Sequence, residues 1–189
     1  HRHTTPFEMV EFKYHCKMPI FVARQWVRHR TANINEYSLR YSEARDEFYV
    51  PDPAHIQFQS SLNKQGRMGD VSEDLKDKVQ DYFKEISNRS FEIYSELNNA
   101  GVARELARAI LPVNLYTERY WKNDLHNLLH FIGLRSDSHA QYEIRVFSDA
   151  MAKSVKAVAP FAWEAYQDYA VSGLRLSLIH ISEPTRHTD

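Results

Sequence analysis

The chain has 189 residues, 43% hydrophobic and 13% aromatic, which suits one domain with a real core. Its 24 basic and 25 acidic residues leave a net charge of -1, so no global basic field holds nucleic acid non-specifically, and a bound nucleotide would have to be gripped by local arginine placement. The single cysteine, Cys16, excludes an internal disulfide framework; with no apolar run near the roughly 20 residues of a membrane helix and no charged-then-apolar leader, a cytoplasmic location is expected.

Residues 9 to 17 alternate Val10, Phe12, Tyr14 and Cys16 against Glu11, Lys13, His15 and Lys17, which predicts a strand with one wet face. Pro19 is tolerated in a first helical turn, and Ile20 to His29 holds no internal Gly or Pro, so a short helix should end near Arg28-His29-Arg30. On it Gln25, Arg28 and His29 would share a face. Asn33 and Asn35 suit a turn, after which Glu36, Ser38 and Arg40 alternate with Tyr37, Leu39 and Tyr41, as in a strand with a polar face and a core face. Helix and strand meeting at that turn would aim three arginines, a glutamate and a serine at one volume. An anion carrying a polar ring, such as a nucleotide, fits it, because the guanidinium fork matches phosphate. An ordinary reading competes: basic residues in a last helical turn are favoured by the macrodipole at about 0.3–1 kcal/mol each, and an alternating strand is an ordinary half-buried strand.

Residues 49 to 70 are dense in turn formers and read as a long surface loop, a candidate lid. Val71, Leu75, Val79, Phe83, Ile86, Ser90, Ile93 and Leu97 mark one stripe of a long helix that Asn98-Asn99-Ala100-Gly101 should cap. A shorter helix over 102–111 is stopped by Pro112 and carries Arg104 and Arg108 four apart. Val113 to Trp121 reads as a strand. A helix over 123–132 should end at Gly133, and Ser138 with Gln141 has capping-box spacing ahead of a helix bearing Ala140, Ile144, Phe147, Met151 and Val155. A last helix, Phe161 to Val171, should end at Gly173. With no repeat and no linker, the reading is one α+β domain, an antiparallel or mixed sheet packed against long helices.

Arg28-His-Arg followed by Asn35-Glu36-x-Ser38-x-Arg40-Tyr41 resembles the signature of the flavin-dependent thymidylate synthases. Leu134 to Ile144 looks like that family's arginine-bearing segment, and Ala107 to Thr117 fits between the two in the expected order. The resemblance implies reductive methylation of dUMP to dTMP, with methylenetetrahydrofolate as carbon donor, FAD as hydride carrier and NADPH as reductant. It also implies homotetramers whose active sites are shared between subunits. Carried over by motif, Thr5, Arg28, His29, Arg30 and Glu36 should contact FAD, together with Asp124, Leu125, His126 and His130. Gln25, Trp26, Val27 and Arg28, then Glu36, Tyr37, Ser38, Leu39 and Arg40, should contact dUMP, with Arg108 joining from the second half. Arg135 aligns with the arginine that polarises the uracil ring, stabilising charge that develops on the pyrimidine. By itself, an arginine before a helix is an ordinary solvated side chain.

Thr5-Pro6 matches the interior of the family pattern, so residues 1–175 are expected to be the domain without its first strands, and 176–189 an artefactual tail resembling a translated sequencing adapter; a natural tail strand is the alternative. Asp124 and His130 stand where many relatives carry Asn, although both can hydrogen-bond a flavin edge or ribose. His126 and His130 are four apart on a helix, as zinc ligands can be, yet Asn127 replaces the glutamate of H-E-x-x-H and no third ligand is near, so no metal site is expected. Two other function classes compete: a non-catalytic nucleotide- or RNA-binding module built on residues 24 to 41, weakened by the neutral charge, and a zinc hydrolase built on the histidines. A visible flavin spectrum separates the first reading from both.

Overall fold

The computed structural model describes residues 3–61 and 66–172. A short helix, α1 (Thr5–Glu8), leads into β1 (Glu11–Pro19), where Cys16 and Met18 point into the core while Glu11, Lys13, His15 and Lys17 face water. Helix α2 (Ile20–Trp26) follows, then β2 (Asn33–Glu36). A hairpin of β3 (Gln57–Gln59) and β4 (Arg67–Asp70) precedes the long α3 (Glu73–Asn99). After α4 (Arg104–Ala107), which tightens into a 3-10 turn over Arg108–Ile110, come β5 (Tyr116–Asp124), α5 (Leu125–Arg135), α6 (Tyr142–Val158) and α7 (Pro160–Tyr166), the last running on as a π-helical turn over Gln167–Val171.

The main sheet has the order β1-β5-β2, with central β5 antiparallel to both neighbours. The fold is therefore α+β, as the sequence predicts. Helices α2, α5 and α6 cover one face, and Met18, Val22, Trp26, Trp121, Leu128, Phe131, Ile144 and Val155 form its dry centre. Trp26 is the hub: its ring stacks on Phe131 at 4.9 Å and meets Trp121 edge-on at 5.4 Å. Burying an aliphatic or aromatic side chain of this size contributes about 1.5–3 kcal/mol, so these layers fix the sheet against its helices. A second cluster, Ala44, Tyr94, Ala107 and Leu115, joins α3 to the segment after β2, where Ala44 N donates to Tyr94 Oη at 2.8 Å.

Several expectations are corrected. The segment 49–70 is not all loop, because β3 and β4 pair within it; both strands are exposed and lack an apolar alternation that would mark them. Helix α3 ends as expected at Gly101, whose φ of +78° suits a residue without Cβ, but its apolar stripe is only partly covered: Leu75 and Ile86 face outward, and the buried positions are Lys76, Ser87 and Tyr94. The helix expected over 102–111 is a single α turn followed by the 3-10 turn. Gly133 does not end α5. It lies inside the helix, where a Cβ would sit 2.9 Å from Tyr166 Oη, so the glycine admits α7 at close range. The Ser138–Gln141 capping box is not formed: α6 starts at Tyr142, and its N-cap Gln141 makes no side-chain capping bond, its Nε2 donating instead to Glu143 Oε2 at 2.9 Å. Residues 62–65, Gly173 and the tail 176–189 lie outside the described residues.

Candidate active site

Pairing with β5 sets the first part of the site. Alternation turns Thr117, Arg119, Trp121 and Asn123 inward, and the register puts Glu36 of β2 opposite Arg119. Thr117 Oγ1 donates to Glu36 Oε1 at 2.9 Å, and Arg119 Nη1 lies 3.7 Å from Glu36 Oε2. Thr117 and Arg119 were not read from the sequence, since β5 carries polar residues on both faces and its alternation is ambiguous. Asn33 and Asn35, expected in a turn, are strand residues of β2; sheet pairing outweighs their local preference. The strand expected over 36–41 accordingly stops at Glu36, and Leu39 to Tyr41 form a turn.

The second part lies beyond α2. That helix ends at Trp26, three residues sooner than expected, because Trp26 is drawn wholly into the core. Arg28 and His29 leave on a turn, in which His29 N donates to Trp26 O at 2.9 Å. The imidazole rests edge-on against Phe131 at 4.8 Å, and its Nε2 accepts a hydrogen bond from Arg135 Nε at 2.9 Å. Two motifs 106 residues apart are thereby joined. Burial, then the adjacent Arg135 guanidinium and the His130 ring, push the His29 pKa down to about 4. The neutral ring accepts at Nε2, so its proton resides on Nδ1.

A third group gathers around Glu105. Arg40 Nη2 lies 3.6 Å from Glu105 Oε2, and Arg108 Nε donates to the Glu105 carbonyl at 3.4 Å. Ser38, half-buried just before, accepts from Arg40 N at 3.4 Å. Tyr37 turns its hydroxyl to the Glu43 carbonyl at 2.9 Å. Glu105 thus meets Arg40 through its carboxylate and Arg108 through its carbonyl, a position seen only once α4 is folded.

The remaining predicted residues divide by burial. Arg28, Arg30, Val27, His126 and His130 are exposed, and among the described residues neither Arg28 nor Arg30 has an ion-pair partner. Thr5 is exposed on α1, which packs against α5. Asp124 is the N-cap of α5, its Oδ1 accepting from Asn127 N at 2.9 Å and its Oδ2 from Asn127 Nδ2 at 2.7 Å. The side chains of Trp26, fully buried, and Leu125, 2% exposed, belong to the core, so contact with a ligand through those side chains is closed. Leu39 packs on the second cluster. Cys16 lies in the core as expected, and burial raises its thiol pKa to about 11, which makes it inert.

Arg28 and Arg30 offer exposed guanidinium donors two residues apart, which suit an anionic group such as a diphosphate; among the described residues the buried Gln25 Oε1, close by in sequence, has no hydrogen-bond partner. Two cavities, of about 490 and 550 Å³, lie around Arg67 and the β3–β4 hairpin; Ser138 to Tyr142 of the Leu134–Ile144 segment line the first and Val113, Asn114 and Glu143 the second, but none of the residues expected to contact FAD or dUMP lines either. Among the described residues no three His, Cys, Asp or Glu side chains group as a metal site would require.

The Thy1 family, described as thymidylate synthase complementing protein, matches residues 1–161. The chain is 51% identical over 190 positions to the flavin-dependent thymidylate synthase of Rickettsia conorii and 52% identical over 190 positions to that of Rickettsia prowazekii, covering 94% of this chain in each case. It spans 65% of the length of those relatives. Among solved structures, the UMP/dUMP methylase PolB from Streptomyces cacaoi, bound with 5-Br UMP, superposes with a TM-score of 0.82 at 32% identity, over 87% of this chain and 76% of that one. The chain therefore belongs to the thymidylate synthase complementing protein family, that of the flavin-dependent thymidylate synthases.

Proposed function

We propose that the protein methylates dUMP reductively to dTMP, using FAD, NADPH and methylenetetrahydrofolate, in the cytoplasm and as a homotetramer with sites shared between subunits. The observation that carries the reading is the hydrogen bond from Arg135 Nε to His29 Nε2, which unites the family's first and last motifs in one constellation. Support also comes from relatives of about half-identical sequence named for this activity and from a structural neighbour named as a dUMP methylase.

In this reading Arg28, His29 and Arg30 hold FAD, with Thr5, Glu36 and His130 along its edge, and the flavin supplies hydride transfer when bound. Gln25, Glu36, Ser38, Arg40 and Arg108 bind dUMP, the guanidiniums matching its phosphate with forked donors and Glu36 standing between the two ligands. Arg135 spends Nε on His29, which fixes the guanidinium plane and leaves its other N–H groups for the pyrimidine carbonyl, where negative charge develops. His29, held neutral, accepts that bond without adding a second positive charge beside Arg135. No side chain is assigned as a covalent nucleophile: Cys16 is buried and protonated, and among the described residues Ser38 Oγ has only the Arg40 backbone N–H against it, which is a donor and no base. Open exposure of Arg28 and Arg30 suits completion of the site by another subunit. The test is conversion of dUMP to dTMP by the FAD-loaded protein with the folate donor and NADPH; failure of a folded, flavin-loaded chain to turn over would refute the reading.

A further inference from the structure

We propose that Arg119 is a positioning residue for this site, holding the Glu36 carboxylate from the core side of the sheet; the proposal rests on the functional reading above, in which Glu36 faces the ligands. The Arg119 side chain is 1% exposed, while that of Glu36 is 38% exposed. Its guanidinium lies over the Trp26 ring, with Cζ 5.0 Å from the ring centre. On the flanking strands its register partners are Cys16 of β1 and Glu36 of β2. Among the described residues Glu36 is its one ion-pair partner, and the 3.7 Å separation exceeds a good hydrogen bond. Among the described residues Arg119 Nε and Nη2 are buried without a hydrogen-bond partner.

As pure scaffold this is a poor arrangement. Taking a guanidinium out of water is costly, and the debt is offset only when geometry is good and the spare donors are satisfied. Between Cys16 and Trp26 an apolar side chain of similar length would fill the same space with no orphaned N–H. Burial here pushes the Arg119 pKa below its ordinary value, a sign of the same cost. The compensation lies in what the charge does to Glu36. Thr117 Oγ1 anchors one carboxylate oxygen at 2.9 Å, and Arg119 attracts the other from beneath, through a low-dielectric interior where such attraction is strong. Two β5 side chains two residues apart therefore set the carboxylate plane, and the exposed edge of Glu36 is presented outward in one orientation. Without Arg119 the Thr117 hydroxyl alone leaves the carboxylate free to rotate about that single bond.

A double-mutant cycle on the FAD-loaded chain tests this. Arg119→Met, Glu36→Gln and the double variant are compared by dUMP affinity, read from the change in flavin absorbance, by KM and kcat, and by urea unfolding of the ligand-free protein. Arg119→Met should unfold at a urea midpoint close to wild type or above it, since replacing a buried ion by an apolar side chain is often neutral or stabilising. It should weaken dUMP binding about tenfold, within the range of coupling between contacting residues, with kcat changed less than KM. The double variant should bind no worse than Glu36→Gln alone, because Arg119 acts through Glu36. Arg119→Lys, which keeps the charge, should recover part of the loss. Losses that multiply in the double variant, or unchanged dUMP affinity in Arg119→Met, overturn the proposal. Should Arg119→Met fail to fold, Arg119→Lys and Thr117→Val carry the same cycle with Glu36→Gln. A wild-type chain that takes up neither FAD nor dUMP refutes the functional reading, and this role with it, before any variant is made.

Discussion

Acidification should set His29 against Arg135. The folded pKa of His29 is about 4, and an unperturbed histidine in the unfolded chain titrates near about 6.5. Because the folded value is the lower one, the unfolded state takes up the proton first. Stability is then full above about pH 6.5, falls as pH drops through the window between the two values, and levels off below about pH 4. Between about pH 7 and about pH 5 the full shift corresponds to about 1.8 kcal/mol by proton linkage; since His29 is only partly buried, solvent screening lowers the expected loss to about 1 kcal/mol. Urea unfolding at the two pH values, in wild type and His29→Gln, reads it. Glutamine still offers an acceptor to Arg135 Nε but does not titrate, so subtracting the variant cancels the other histidines. A wild-type loss exceeding that of His29→Gln by this amount supports the geometry. Equal losses in the two proteins would refute the claim that His29 is held neutral against Arg135.

Arg135→Ala should leave the bound flavin spectrum intact while dTMP formation falls by about 10²–10³, the cost of losing one charge-stabilising donor; near-normal turnover would remove Arg135 from the mechanism. Cys16→Ala should retain dTMP formation, and intact-protein mass spectrometry of a quenched turnover mixture should show no dUMP adduct on Cys16 or Ser38; a mapped adduct would overturn the non-covalent reading. Ser38→Ala should chiefly raise KM for dUMP, as expected for a lost binding contact, and a collapse of kcat at unchanged KM would contradict that role. Gly133→Ala should gain about 0.5–1 kcal/mol of stability only in a Tyr166→Phe background, where the helix preference of alanine is no longer offset by the hydroxyl 2.9 Å away. Equal effects in both backgrounds, read in thermal unfolding, would show that the contact does not matter.

Where local pattern and tertiary context agree, the sequence is a good guide. The alternation of β1 and the glycine cap of α3 follow from side-chain period and from the need for positive φ at Gly101. Errors arise where a long-range partner decides. Asn33 and Asn35 favour a turn until β5 pairs with them, and Gly133 looks like a stop until Tyr166 occupies the space its missing Cβ leaves. Trp26 shortens α2 because the core lies at that point, which converts Arg28 and His29 from helix residues into turn residues. The motifs supply Arg28, His29, Glu36, Arg40, Arg108 and Arg135 to the proposed site, and the structure joins His29 to Arg135. They assign no role to Arg119 or Thr117, whose importance depends on the strand register that brings Glu36 opposite Arg119 and within a hydrogen bond of Thr117.

The most direct measurement is single-turnover conversion: the purified protein is loaded with FAD, reduced with NADPH, and mixed with dUMP and methylenetetrahydrofolate, and dTMP is quantified against a no-folate control. The account predicts a yellow protein that bleaches with NADPH, regains its colour on turnover, and yields dTMP in proportion to bound flavin. A folded chain that binds flavin and dUMP yet forms no dTMP, or one that forms it equally well as Arg135→Ala, would contradict it.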